Sequence, residues 1–160
     1  LAAHGLAKGL QGASIDYRAV AAAFGLAYTI ILQVGALGGP WLGALGGALV
    51  GVGLHQWLYY WDWPFAAIPL LIGFLAGLRA RRGAMRSLFG AALSGLVLAA
   101  LASLLDLVLR YFLYGDTSYD AMEAVYFLAG GAAAGVLAWL VARALPRGWL
   151  ARLPLGKRVR

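Results

Sequence analysis

The chain has 160 residues, of which 63% are hydrophobic and 12% charged, with a mean hydropathy of +0.82; soluble domains of this size do not have that composition. It contains no cysteine, which excludes disulfides, thiol chemistry and thiolate metal sites. The net charge of +7 collects between apolar runs and at the C-terminus instead of spreading over a polar surface, which argues against nucleic-acid binding and for loops beside a membrane.

Residues 1–18 read as an N-terminal outer segment. Leu6 and Leu10 share a helical face there, but the stretch is too short and too rich in glycine to cross a bilayer. The chain begins with leucine, and a missing or degenerate first helix ahead of it is the expectation. The first predicted span, 19–37, carries no charge. Ala19, Ala23 and Ala27 repeat at four along it, as an internal seam or a docking face for another membrane subunit. Thr29 and Gln33 are polar positions that helix packing would explain.

After Gly38, Gly39 and Pro40 comes a second span, 41–58, marked by glycine at every fourth position: Gly39, Gly43, Gly47 and Gly51, with His55 next in the series. At 3.6 residues per turn these share one helical face. In water each glycine would weaken the helix by about 1 kcal/mol relative to alanine. In lipid the same stripe lets a neighbouring backbone approach closely.

The third span, 64–78, opens on Pro64, suited to a first helical turn, and Pro69 predicts a kink inside it. The fourth runs from 87 past 105, with Asp106 and Arg110 one turn apart: a functional intramembrane pair or a self-neutralising structural one. The fifth covers 124–142, where Gly131 and Gly135 precede Ala138 and Ala142. A 19-residue helix rises about 28 Å, close to the roughly 30 Å of a hydrocarbon core. The expectation is an all-α polytopic integral membrane bundle of five transmembrane helices over 19–145, closed by a basic tail at 146–160.

Charge sets the expected orientation. Arg79, Arg81, Arg82 and Arg86 separate the third and fourth spans, and Arg143, Arg147, Arg152, Lys157, Arg158 and Arg160 follow the fifth. An N-out, C-in chain puts these ten of the thirteen basic residues inside and leaves Lys8, Arg18 and Arg110 outside. The outer segments are then 11–18, 58–64 and 111–123. They hold Asp16, Asp62, Asp116, Asp120 and Glu123, five of the six acids, among a crowd of aromatic rings. Such rings form either an interfacial belt or the walls of a pocket that stacks a planar solute while carboxylates hold a cation. Asp62, between Trp61 and Trp63, is a solute ligand or the N-cap of the helix opening at Pro64. His55, beside Gln56, would bind solute, ligate a pigment or haem, or donate to a backbone carbonyl between helices.

No paired-histidine helix motif, nucleophile elbow or phosphate-cradling loop followed by lysine occurs, so no enzyme is expected.

The order of LGGPWLGALGGALVGVG, then PFAAIPLLIGFLAGLRARRG, then YFLYGDTSYD and finally ALPRGWLARLPLGKR resembles the substrate-binding S components of energy-coupling-factor (ECF) vitamin transporters, over about residues 14–156. The resemblance implies a helical bundle with a vitamin or metal site near the outer face, closed by the loops after helices one, three and five. It also implies partners: a transmembrane coupling subunit and two ATPases. That family has six helices, so its first would lie upstream of this chain or be replaced by the alanine ladder. Parts of the pattern are shared with the five-helix sensor region of some cell-wall-linked histidine kinases and with the small multispan subunit of the rod-shape machinery. An accessory subunit of a pigment-bearing or respiratory complex is a further alternative.

The expectation is therefore a non-catalytic component of the bacterial cytoplasmic membrane that captures a small solute at its outer face for an ATP-driven importer. The candidate solute contacts are His55, Tyr59, Trp61, Asp62, Trp63, Asp116, Tyr119 and Asp120. No resident cofactor is expected, with a pigment or haem on His55 as the alternative, and no nucleic acid.

Overall fold

The computed structural model describes residues 17–57, 63–115 and 121–145, with side-chain surroundings over 27–53, 64–115 and 124–145. Among the described residues the chain is all-helical, in five helices: α1 (Tyr17–Gly38), α2 (Pro40–Trp57), α3 (Trp63–Arg81), α4 (Leu88–Tyr114) and α5 (Ala121–Ala144). Among the residues whose side chains are described, three helices are long and apolar enough to cross a membrane, over Pro64–Arg81, Leu88–Tyr114 and Ala124–Ala144, and the described apolar parts of the other two are Ala27–Gly38 and Pro40–Gly53.

The helices start and stop for local reasons. A single residue, Gly39, separates α1 from α2; it takes the left-handed region at φ +80°, which glycine adopts without a Cβ penalty. Pro40 then opens α2, where its missing N–H costs no helical bond. Gly39 is thus a turn residue at the head of the glycine stripe and not a member of the helix. Pro69 lies inside α3, and helical structure continues through it. Ser87 caps α4 by accepting from Gly90 N–H at 3.0 Å, and Gly115 ends it at φ +66°, donating to the Tyr111 carbonyl at 2.9 Å. With 27 residues, α4 reaches about 40 Å, longer than a hydrocarbon core is thick. Residues 111–114, read from sequence as outer loop, are its last turn.

Packing is by backbone approach. On α2, an added side chain would strike the Gly73 carbonyl at Gly43, the Pro69 carbonyl at Gly47 and the Ala66 carbonyl at Gly51. These partners descend α3 as the glycines ascend α2, so the two helices are antiparallel. Gly77 continues the seam against Gly39 and Pro40, and Gly35 brings α1 to the same place, 2.9 Å from the Gly73 carbonyl for an ideal Cβ. A second antiparallel seam joins α4 to α5: Gly95 meets the Gly131 carbonyl, and Gly135 meets that of Ala91. Ala27 is half-buried on α1; the side chains of Ala19 and Ala23 lie outside those described.

Helix α1 packs against α2, α3 and α5, and α3 packs against α2, α1 and α4, so α2 flanks a four-helix group. The core holds Ile31, Leu32, Ile72 and Leu98 without measurable exposure or nearly so. Its outside is apolar too: Trp41, Leu45, Leu49, Phe89, Leu104 and Phe112 are all more than half exposed. A helical bundle apolar on both its inner and outer faces satisfies its backbone internally and suits hydrocarbon as solvent.

Candidate functional site

Because neighbouring helices run in opposite directions, the C-terminal ends of α2 and α4 lie with the N-terminal ends of α1, α3 and α5. At this end α4 carries a polar stripe. Ser103, Asp106, Arg110 and Tyr114 are spaced by three, four and four residues, which keeps them on one face. The Arg110 Nε donates to an Asp106 oxygen at 2.8 Å, with the Arg110 side chain 31% and the Asp106 side chain 18% exposed. A pair in this position is neutral overall and partly exposed.

Rings surround the stripe. Phe65, buried at the start of α3, lies parallel to Tyr114 with centroids 6.4 Å apart. Tyr28 of α1 is buried and meets Phe127 of α5 edge to face at 5.4 Å and 81°. Tyr28 and Phe65 belong to one core cluster, against which Leu105 and Leu109 of α4 and Phe127 of α5 pack. The Ser103 hydroxyl is buried with no hydrogen-bond partner in the structure, as is the Gln33 amide nitrogen on α1. An unpartnered buried donor is costly, on the order of 1–3 kcal/mol, unless something meets it.

Chemically, the arrangement offers flat apolar walls, one acid, one base and spare hydroxyls. It can bind and orient a small solute. No group of three metal-ligating side chains occurs among the described residues.

Of the residues singled out from sequence, His55 lies in the last turn of α2 and Trp63 opens α3, so both belong to helix ends at this same end; their side chains lie outside those described. Tyr59, Trp61, Asp62, Asp116, Tyr119 and Asp120 lie outside the described residues. The structure brings together a set that sequence reasoning did not propose as solute contacts: Tyr28, Phe65, Ser103, Asp106, Arg110, Tyr114 and Phe127. The available signal was a hydroxylated ring, Tyr28, beside Thr29 in a largely apolar span, and the continuation of the Asp106–Arg110 spacing back to Ser103 and on to Tyr114.

Compared with known proteins, the chain matches no family profile, no curated protein and no solved structure.

Proposed function

We propose that this protein is a membrane-embedded solute-binding component, of the kind that serves an ECF-type importer in a bacterial cytoplasmic membrane. It crosses the bilayer five times, N-out and C-in. Its outer end captures a small solute and presents it to a coupling subunit that ATPases drive, while the chain itself performs no catalysis.

The observation that carries this proposal is the α4 stripe walled by rings. A carboxylate and a guanidinium 2.8 Å apart, partly exposed toward one end of an apolar bundle and bordered by Phe65 and Tyr114, offer a planar polar solute both stacking and charge. Four acids in or beside the segments that join the helices at this end, Asp62, Asp116, Asp120 and Glu123, with Asp16 just ahead of α1, would add to the roof of such a pocket.

The test is gentle purification from the native membrane, followed by mass spectrometry of co-purifying proteins and retained small molecules. A coupling subunit with ATPases, or a bound vitamin-like solute, is the expected result. A pigment-bearing, respiratory or cell-wall complex without a free solute would overturn it and make the chain an accessory subunit.

A further inference from the structure

At the opposite end of the bundle, among the described residues, five arginines stand without an acid against them. Arg79 and Arg81 close α3, Arg82 and Arg86 lie in the turn that follows, and Arg143 lies in the last turn of α5. Among the described residues, the ion pair found is Asp106–Arg110 at the other end. The remaining acids adjoin that other end by chain connectivity: Asp16 precedes α1, Asp62 precedes α3, Asp116 and Asp120 fall between α4 and α5, and Glu123 is in the first turn of α5.

Neutral groups meet the side chains of three of these arginines and the backbone of a fourth. Arg79, half-buried between α3 and α4, donates from Nε to the Ser94 hydroxyl at 3.0 Å, and Ser94, fully buried, donates to the Gly90 carbonyl at 2.7 Å. Arg81 lies against Gly39, where the last carbonyls of α1 favour a cation. Trp139 joins two others: its indole N–H donates to the Arg86 carbonyl at 3.3 Å, and the Arg143 guanidinium lies over its ring at 4.3 Å.

Clustered guanidiniums repel one another, and a hydroxyl or a ring neutralises none of them. Among the described residues no carboxylate meets them, and an anion from outside the chain would relieve the repulsion. Two exposed rings say from where. Trp41 in the first turn of α2 and Phe89 in the first turn of α4 are each 77% exposed at this same end. An outward-turned Trp at a helix end, such as Trp41, anchors at the headgroup level, and the apolar Phe89 suits the hydrocarbon just beneath it, which would set the arginines near the phosphates. Guanidinium forks match phosphate oxygens in a paired geometry.

We infer that this end binds the phosphate headgroup of an anionic phospholipid, at a site built on Arg143, whose guanidinium lies over Trp139, and Arg86, whose backbone carbonyl accepts from the same indole, and extended by Arg79, which Ser94 holds between α3 and α4. The site is separate from the solute end and stands whether or not a solute binds there.

The experiment is native mass spectrometry of the full chain in mixed micelles of phosphatidylglycerol and phosphatidylcholine at equal concentration. The wild type should retain phosphatidylglycerol preferentially. Each arginine removed should lower that preference about fivefold, so Arg86→Gln/Arg143→Gln should lower it by roughly twenty-five-fold. Arg143→Gln alone, at an exposed position, gives the same reading should the double variant not fold, and Arg143→Lys should keep part of the preference. Equal retention of the two lipids, a preference untouched by Arg143→Gln, displacement by inorganic phosphate at the same concentration, or a stoichiometric acidic polypeptide in place of lipid would each overturn the inference.

Discussion

Gly43 of α2 and Gly73 of α3 face each other backbone to backbone: a Cβ on either would strike the carbonyl oxygen of the other. Gly35 of α1 reaches the same point, so three helices meet where none has a side chain. Such contact lets dispersion and Cα–H···O contacts hold helices that have no hydrophobic drive to associate in lipid.

Substitution at this crossing should be severe. Gly43→Ala forces α2 off α3 and should cost about 1–3 kcal/mol, and Gly43→Leu more. Gly53, on the same helix with nothing within 4 Å of an added Cβ, is the control, and Gly53→Ala should be neutral or slightly stabilising. Thermal unfolding in detergent compares them. Equal unfolding temperatures for the Gly43 and Gly53 variants would mean that α2 does not pack through the stripe.

The five helices are legible in the sequence because each is an apolar run bounded by glycine, proline or charge. Period reveals a face but not its neighbour. The four-residue spacing of Gly43, Gly47 and Gly51 says that they share a side; that Gly73, Pro69 and Ala66 fill it depends on the antiparallel return of α3. Gly39 fits the same period, yet Pro40 suits the first turn of a helix and Gly39 takes a positive φ, so Gly39 makes the turn. Tyr111, Phe112 and Tyr114 resemble an interfacial loop by composition, but no breaker precedes Gly115 and the helix runs on. That extra turn is what sets Tyr114 against Phe65, a contact across helices that no local pattern encodes.

Ser94 links the end of α3 to the interior of α4 and is fully buried. Ser94→Ala removes the acceptor of Arg79 Nε and should cost about 1–3 kcal/mol, because a partly buried guanidinium loses its partner. Ser94→Thr keeps the hydroxyl but adds a methyl in a filled space, so its loss measures crowding instead. Unfolding temperatures of Ser94→Ala, Arg79→Gln and the double variant supply the cycle. The double variant should be less destabilised than the two single losses added together. Additive losses would mean that the 3.0 Å contact contributes nothing.

Asp106 and Arg110 can be tested for structure and for binding at once. Asp106→Asn leaves the Arg110 charge without its carboxylate and should destabilise by about 1–2 kcal/mol, the lower part of the range because both side chains are partly exposed. Asp106→Asn/Arg110→Gln removes both charges and should recover part of that stability. Solute retention, read by mass spectrometry, should be lost in the single and the double variant alike. Recovery of retention together with stability would reduce the pair to a structural one.

A chain without cysteine invites single-cysteine topology mapping. Ser118 lies between α4 and α5, and Arg82 lies exposed in the turn between α3 and α4, so α4 alone separates them. Since α4 is long and apolar enough to cross a membrane, the two positions should fall on opposite sides of it. The weight of Arg79, Arg81, Arg82, Arg86 and Arg143 at one end sets which side is which, because cytoplasmic loops carry the excess of basic residues. In intact cells, Ser118→Cys should react with a membrane-impermeant maleimide, and Arg82→Cys should react only after permeabilisation. The reverse pattern would turn the solute end toward the cytoplasm, where it could not serve an importer. Labelling of both in intact cells would mean that α4 does not cross the bilayer, and the apolar outer face formed by Leu45, Leu49 and Leu104 would then need a protein partner in place of lipid.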